Sequence, residues 1–113
     1  MRTQRLTSLA VTFAVLLAAV PAGAADGKAV YEAICINCHG PDGRSDTKKG
    51  KALKAPNFLE EKKLVGTPDA VAAFVKQSVR EKKKHKQISP KVNDEELAAV
   101  AEYVRVLVSA GGK

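Results

Sequence analysis

The chain has 113 residues, 45% hydrophobic and 27% charged, the ordinary balance of one small folded domain rather than of a disordered tail. Two cysteines permit at most one disulfide, which excludes a cysteine-rich secreted scaffold, and three Phe, two Tyr and no Trp are a poor supply of large core pieces. Lys and Arg outnumber Asp and Glu by 19 to 12; with Arg2 and Arg5 in the opening segment, the rest of the chain remains moderately basic.

Arg2 and Arg5 precede an apolar run from Leu9 to Val20, followed by Pro21 and the small-residue tripeptide Ala22-Gly23-Ala24. A basic start, an apolar stretch short of the ~20 residues that span a bilayer, and an A-x-A ending read as a secretory signal peptide cut after Ala24. An uncleaved anchor helix is the competing reading. The organisation expected is a signal over residues 1–24 and one domain over 25–113, exported to the periplasm and not embedded in the membrane once cleaved. In such an oxidising compartment an exposed cysteine pair tends to form a disulfide unless something else occupies both sulfurs.

Behind a plausible Asp26 N-cap, Gly27, Val30, Tyr31 and Ile34 follow helical spacing and predict a short helix running into Cys35. Gly40 to Lys54 (GPDGRSDTKKGKALK) has no hydrophobic period and reads as a long loop wrapping something. Thr67-Pro68-Asp69 is an N-cap, a Pro at the first helical position and an acid in the first turn. Val71, Phe74, Val75 and Val79 then mark one apolar face of a helix ending near Lys82. Asn93 and Glu96 form a capping-box pair, and Leu97, Val100, Ala101, Val104 and Leu107 line one stripe of a third helix running up to Gly111. No alternating run is long enough for a strand and there is no internal repeat, so the fold class is all-α. A domain of about this size buries only ~60–65% of its unfolded surface, and with so few aromatics something else must fill its core.

Cys35-Ile36-Asn37-Cys38-His39 is a CxxCH, which in a chain with an export signal points to covalent attachment of one haem c. Two sulfurs three residues apart at a helix end can reach the two vinyl-derived carbons on one porphyrin edge, and the adjacent His39 is carried beneath the ring as an iron ligand. Three other readings account for less. A thioredoxin-like redox pair needs βαβ patterning, a lone disulfide leaves His39 unexplained, and the adjacent Cys-His is not the usual zinc spacing.

At these residues a resemblance emerges: GKAVYEAICINCHGPDG and NDEELAAVAEYVRVL resemble the two ends of a class I c-type cytochrome, and the likeness covers nearly all of residues 25–113. The resemblance implies a small helical domain wrapped around one haem, its first and last helices crossing where Gly27 and Tyr31 meet Tyr103. It also implies that the carbonyl of Pro56, in Ala55-Pro56-Asn57-Phe58, accepts the N–H of the His39 imidazole, fixing its tautomer and raising its basicity. The chain departs from the family pattern in three places. The glycine before the distal ligand is replaced within Arg80-Glu81-Lys82-Lys83-Lys84, there is no Trp, and the only Met is Met1. Where the family places its distal Met, nine residues before Asp94, stands His85, the only other histidine. A neutral imidazole binds iron readily at pH 7, whereas Lys84 or Lys86 must first lose a proton from a group with pKa near ~10.4. Lysine or water at that position remains the alternative.

The function expected is that of an exported monohaem electron carrier, not an enzyme, of low potential through bis-histidine ligation by His39 and His85. A haem sensor, a small-ligand-binding module or an electron-relay subunit of a larger oxidoreductase are the alternatives. Lys48, Lys49, Lys51 and Lys54, with Lys82, Lys83, Lys84 and Lys86, read either as a docking ring for acidic redox proteins or as a solvated surface. Without interleaved aromatics or a known nucleic-acid motif, nucleic acid is not the expected partner.

Overall fold

Capping chemistry starts each long helix where the sequence places it. The structure, a computed structural model, describes residues 25–113 and, N-terminal to them, Ala10 and Ala14 only; the export signal expected over residues 1–24 otherwise lies outside the described residues. The Asp26 carboxylate accepts from the amides of Lys28 and Ala29 at 3.1 and 3.4 Å and opens α1 (Gly27–Val30). The helix then widens into a π-helical turn over Tyr31–Cys35 and tightens again into α2 (Ile36–His39). Gly40, at φ +75° and ψ 168°, ends it in a region of backbone space that essentially only glycine occupies.

One segment differs from expectation. Within the stretch 40–54, read above as a structureless loop, lies α3 (Lys48–Leu53). It carries no apolar stripe because its anchor is polar. The Thr47 hydroxyl caps it by accepting from the Gly50 amide at 2.9 Å, and the same oxygen lies 2.9 and 3.0 Å from the carbonyls of Asn37 and Cys38. A Cβ at Gly50 would overlap the Cys38 carbonyl, so glycine lets α3 lie directly against α2.

Thr67 caps α4 (Pro68–Glu81) with Pro68 in its first turn, and the full capping box of Asn93 and Glu96 starts α5 (Asp94–Ser109). Single 3-10 turns fill the connections, and no strand occurs among the described residues. The α5 stripe of Leu97, Val100, Ala101, Val104 and Leu107 is buried throughout and packs with Val71 and Val79 of α4, while Phe74 and Val75 are only partly covered.

α1 and α5 cross closely. A Cβ at Gly27 would overlap the Ala99 backbone carbonyl and crowd the Tyr103 Cβ at 3.1 Å. About one turn on, where the π turn begins, the fully buried Tyr31 ring lies 5.1 Å from that of Tyr103 and its hydroxyl donates to the Gly40 carbonyl at 2.5 Å. Tyr31 thereby joins the start of the first helical segment, its end and α5. Replacing Gly27 by Ala should destabilise the folded protein by about 2–3 kcal/mol through overpacking, although helix propensity alone favours Ala by about 1 kcal/mol. Thermal denaturation of the haem-loaded variant checks this, because a gain in stability would mean that the crossing is looser than described.

Candidate functional site

Of the larger side chains among the described residues, only Tyr31 and Val71 are wholly buried. Leu64, Val79, Leu97, Val100 and Val104 belong to the core and also line a cavity of about 550 Å3 that the helices enclose between them. Its size falls within the ~300–1,000 Å3 usual for cofactor and ligand sites. Cys35, Cys38, His39, Pro56 and His85, the five residues singled out in the sequence, all line this one space.

Cys35 closes the π turn and Cys38 lies one helical step later in α2, so the two sulfurs belong to neighbouring positions of one helical surface. They are not bridged to each other. Burial, with the nearby Cys38 adding to it, pushes the Cys35 thiol up to about 11. Among the described residues no three His, Cys, Asp or Glu side chains converge as a metal cluster.

His39 follows directly on Cys38 and stacks on Phe58 with ring centroids 4.2 Å apart and planes inclined by 23°. Burial, and secondly the nearby His85, lower its pKa to about 4, against the opposing pull of the Pro56 carbonyl. The ring is therefore neutral at pH 7, as a metal ligand must be. Its Nδ1 lies 3.2 Å from the Ser45 hydroxyl, and that hydroxyl donates to the Pro56 carbonyl at 2.5 Å. The Ser45 hydroxyl thus bonds both the imidazole and the carbonyl that the resemblance pairs with it, while that carbonyl also acts on the ring itself.

His85 ends a 3-10 turn just beyond α4, and its Nδ1 donates to the Ser78 carbonyl of that helix at 2.7 Å. A carbonyl only accepts, so Nδ1 carries a proton, and in the neutral tautomer that this bond selects Nε2 holds the lone pair. Arg80, the first residue of the stretch Arg80-Glu81-Lys82-Lys83-Lys84 within which the family's glycine is replaced, organises the segment that follows. Its guanidinium donates to the Ser89 carbonyl and hydroxyl, to the Val92 carbonyl at 2.8 Å and to Asp94 at 3.1 Å. Lys84 adds a bond to the Leu53 carbonyl at 2.6 Å, joining this segment to the end of α3.

The two imidazole centroids lie 6.3 Å apart, their planes inclined by 45°. A metal–imidazole bond is about 2 Å and a ring centroid lies about 1 Å behind its nitrogen, so two imidazoles on opposite sides of one metal have centroids about 6 Å apart. The sequence model of the cytochrome c family matches residues 24–107. The chain belongs to the cytochrome c family. No curated protein and no solved structure shows a significant match to it. Membership brings haem-based electron transfer by a covalently held haem c, for which Cys35 and Cys38 are the only cysteines present. The residues fit that group: an apolar cavity, two thiols at one wall, and two imidazoles at the spacing of a shared metal.

Four contributors to this cytochrome c site escaped the sequence reading: Ser45, Phe58 in its stacking role, the Ser78 carbonyl and Arg80. Ser78 acts through its backbone, so no residue type announces it. Arg80 is visible only as a departure from the family pattern.

Because the cavity replaces a conventional core, a Cys35→Ala, Cys38→Ala double variant produced without haem should be largely unfolded. Its far-ultraviolet circular dichroism should show little helix at 25 °C, and a cooperative melt would contradict this.

Proposed function

We propose that this cytochrome c-family protein is a periplasmic monohaem electron carrier, exported by removal of residues 1–24, with His39 and His85 ligating iron from opposite sides. The observation that supports the ligation is the pair of imidazoles 6.3 Å apart in one apolar cavity, the His85 ring held by the Ser78 carbonyl. Cys35 and Cys38 would hold the haem by thioethers, and Pro56 would complete the hydrogen-bonded surroundings of His39. A haem held here supplies a one-electron Fe(III)/Fe(II) couple.

The chain's own residues supply the conditions for that couple. His85 is pre-oriented by its Nδ1 bond, and its segment is tied down through Arg80, so the ligand set changes little between oxidation states. Leu64, Val100 and Val104 exclude water from the cavity. Met ligation raises the potential of cytochromes c; a histidine in its place supports a lower potential, suited to a low-potential partner.

For partner recognition, Lys49, Lys54, Lys82, Lys83 and Lys84 line the cavity rim. All five are exposed and give its mouth a positive field. Lys51 is instead paired with Asp46 at 2.7 Å. The rim supports docking by redox proteins with acidic surfaces. No helix among the described residues is long and apolar enough to cross a membrane.

Two measurements test this reading. His85→Ala should convert a low-spin optical and EPR spectrum to high-spin and open the iron to carbon monoxide or cyanide, whereas an unchanged low-spin spectrum would assign the position to Lys84 or Lys86. Wild-type protein that takes up these ligands promptly at neutral pH would instead be a ligand-binding module. Electron exchange with an acidic redox protein should slow several-fold as the Debye length falls from about 30 Å at 0.01 M salt to about 8 Å at 0.15 M, and the Lys83→Glu variant should be slower and less salt-dependent. A flat salt profile would reduce the lysines to a solvated surface.

A further inference from the structure

Ser45 is the one buried polar side chain among the described residues, with 6% of its surface exposed. It is also one of two non-glycine residues there with positive φ, at +59°, a conformation in which Cβ crowds the backbone. Neither feature is needed by the turn itself, which a glycine would make more readily, as Gly40 and Gly43 do on either side of Pro41 and Asp42. What a glycine lacks is the hydroxyl. That oxygen stands 3.2 Å from His39 Nδ1 and 2.5 Å from the Pro56 carbonyl.

The protons on this chain of atoms can be counted. The Pro56 carbonyl only accepts, so the single Ser45 hydroxyl proton is committed to it. Toward His39 the Ser45 oxygen can then only accept, which requires the proton on Nδ1 and leaves Nε2 unprotonated. The Ser45 amide in turn donates to the His39 carbonyl at 2.9 Å. Residue 45 is therefore held to residue 39 by main chain and side chain together, and the ring has one orientation in which both bonds are made.

We infer that Ser45 is a positioning residue that fixes the His39 ring and tautomer and sets its basicity by passing on the pull of the Pro56 carbonyl through its hydroxyl. The inference rests on His39 as an iron ligand, proposed above. A hydroxyl that is itself donating to a carbonyl is polarised and becomes a better acceptor. An acceptor at Nδ1 makes the imidazole a stronger donor to iron and so favours Fe(III). Ser45 thereby adds to the lowering of the potential that a second histidine brings, from the other side of the iron.

Three holoprotein variants separate this role from a structural one. Ser45→Ala and Ser45→Gly both remove the hydroxyl, but only Gly relieves the positive φ. Ser45→Thr keeps the hydroxyl on a β-branched residue that tolerates this φ poorly. Spectroelectrochemical titration of the Ala and Gly variants should give the same rise in potential, read as a roughly three- to tenfold increase in the Fe(II)/Fe(III) ratio at a fixed applied potential, the range expected for one hydrogen bond. Thermal stability should separate them, with Gly above Ala, and Thr should melt earliest while keeping the wild-type potential.

Unchanged potentials in Ala and Gly would overturn the inference while leaving His39 as ligand. So would a potential that follows thermal stability across the three variants. A fall in potential would mean that the Pro56 carbonyl closes directly on the imidazole and that Ser45 only keeps them apart, which also overturns it. A wild-type EPR spectrum without an imidazole ligand would instead remove the ligation reading on which the inference stands.

Discussion

The cavity between the helices is the constraint on which the rest of the structure depends. A chain with five aromatic side chains cannot close a core of this span, and the aliphatic residues of α4 and α5 that would form one line an open space instead. A rigid planar group in that space takes over what large aromatic side chains do elsewhere: it offers extensive apolar contact with no rotamer freedom to lose. The cofactor's binding free energy is thus folding free energy, as for other small domains that cannot bury enough surface by themselves. Stability and function therefore draw on the same contacts, and changes in cavity residues act on both.

Around this space the chain divides into two walls of different construction. The wall formed by α1, α2 and α3 is knit by short-range polar bonds: Tyr31 to Gly40, Thr47 to the end of α2, Ser45 to His39 and Pro56. Its backbone departs repeatedly from ordinary α geometry, in the π turn over Tyr31–Cys35 and at the positive φ of Gly40, Gly43 and Ser45. Such departures concentrate at functional sites because the surrounding structure must over-determine them. The opposite wall is two regular helices and a connection between them. Besides its apolar lining and His85 itself, it contributes one carbonyl, that of Ser78, and one guanidinium, that of Arg80.

What the sequence disclosed and what it hid follow the range of the interactions involved. Caps are local, so Asp26, Thr67-Pro68 and the Asn93–Glu96 box announce their helices within four residues. Cys35, Cys38 and His39 could be singled out because they stand within one five-residue CxxCH. His85 could be singled out because the chain has only one other histidine. By contrast α3 is stabilised by Thr47 reaching carbonyls nine and ten residues away, which leaves no periodic trace. Ser45 was just another polar residue in a glycine-rich stretch. Its importance arises only when three separate turns bring His39, Ser45 and Pro56 to one point.

The difference between the walls has a consequence for how the molecule opens. From Lys82 to Val92 the chain has only single 3-10 turns, and Arg80 and Lys84 hold it to the rest through a few side-chain bonds. Segments so constructed exchange their amide hydrogens by local unfolding well below the free energy of global unfolding. The α1–α5 crossing, with Gly27 against the Ala99 backbone and Tyr31 sealed beneath Tyr103, exchanges only when everything unfolds. Native fluctuations of this protein should accordingly be one-sided, with Lys82–Val92 detaching and returning as a unit while the α1–α5 crossing stays folded; were His85 the iron ligand proposed above, the metal would be uncovered on that side and not beside α2.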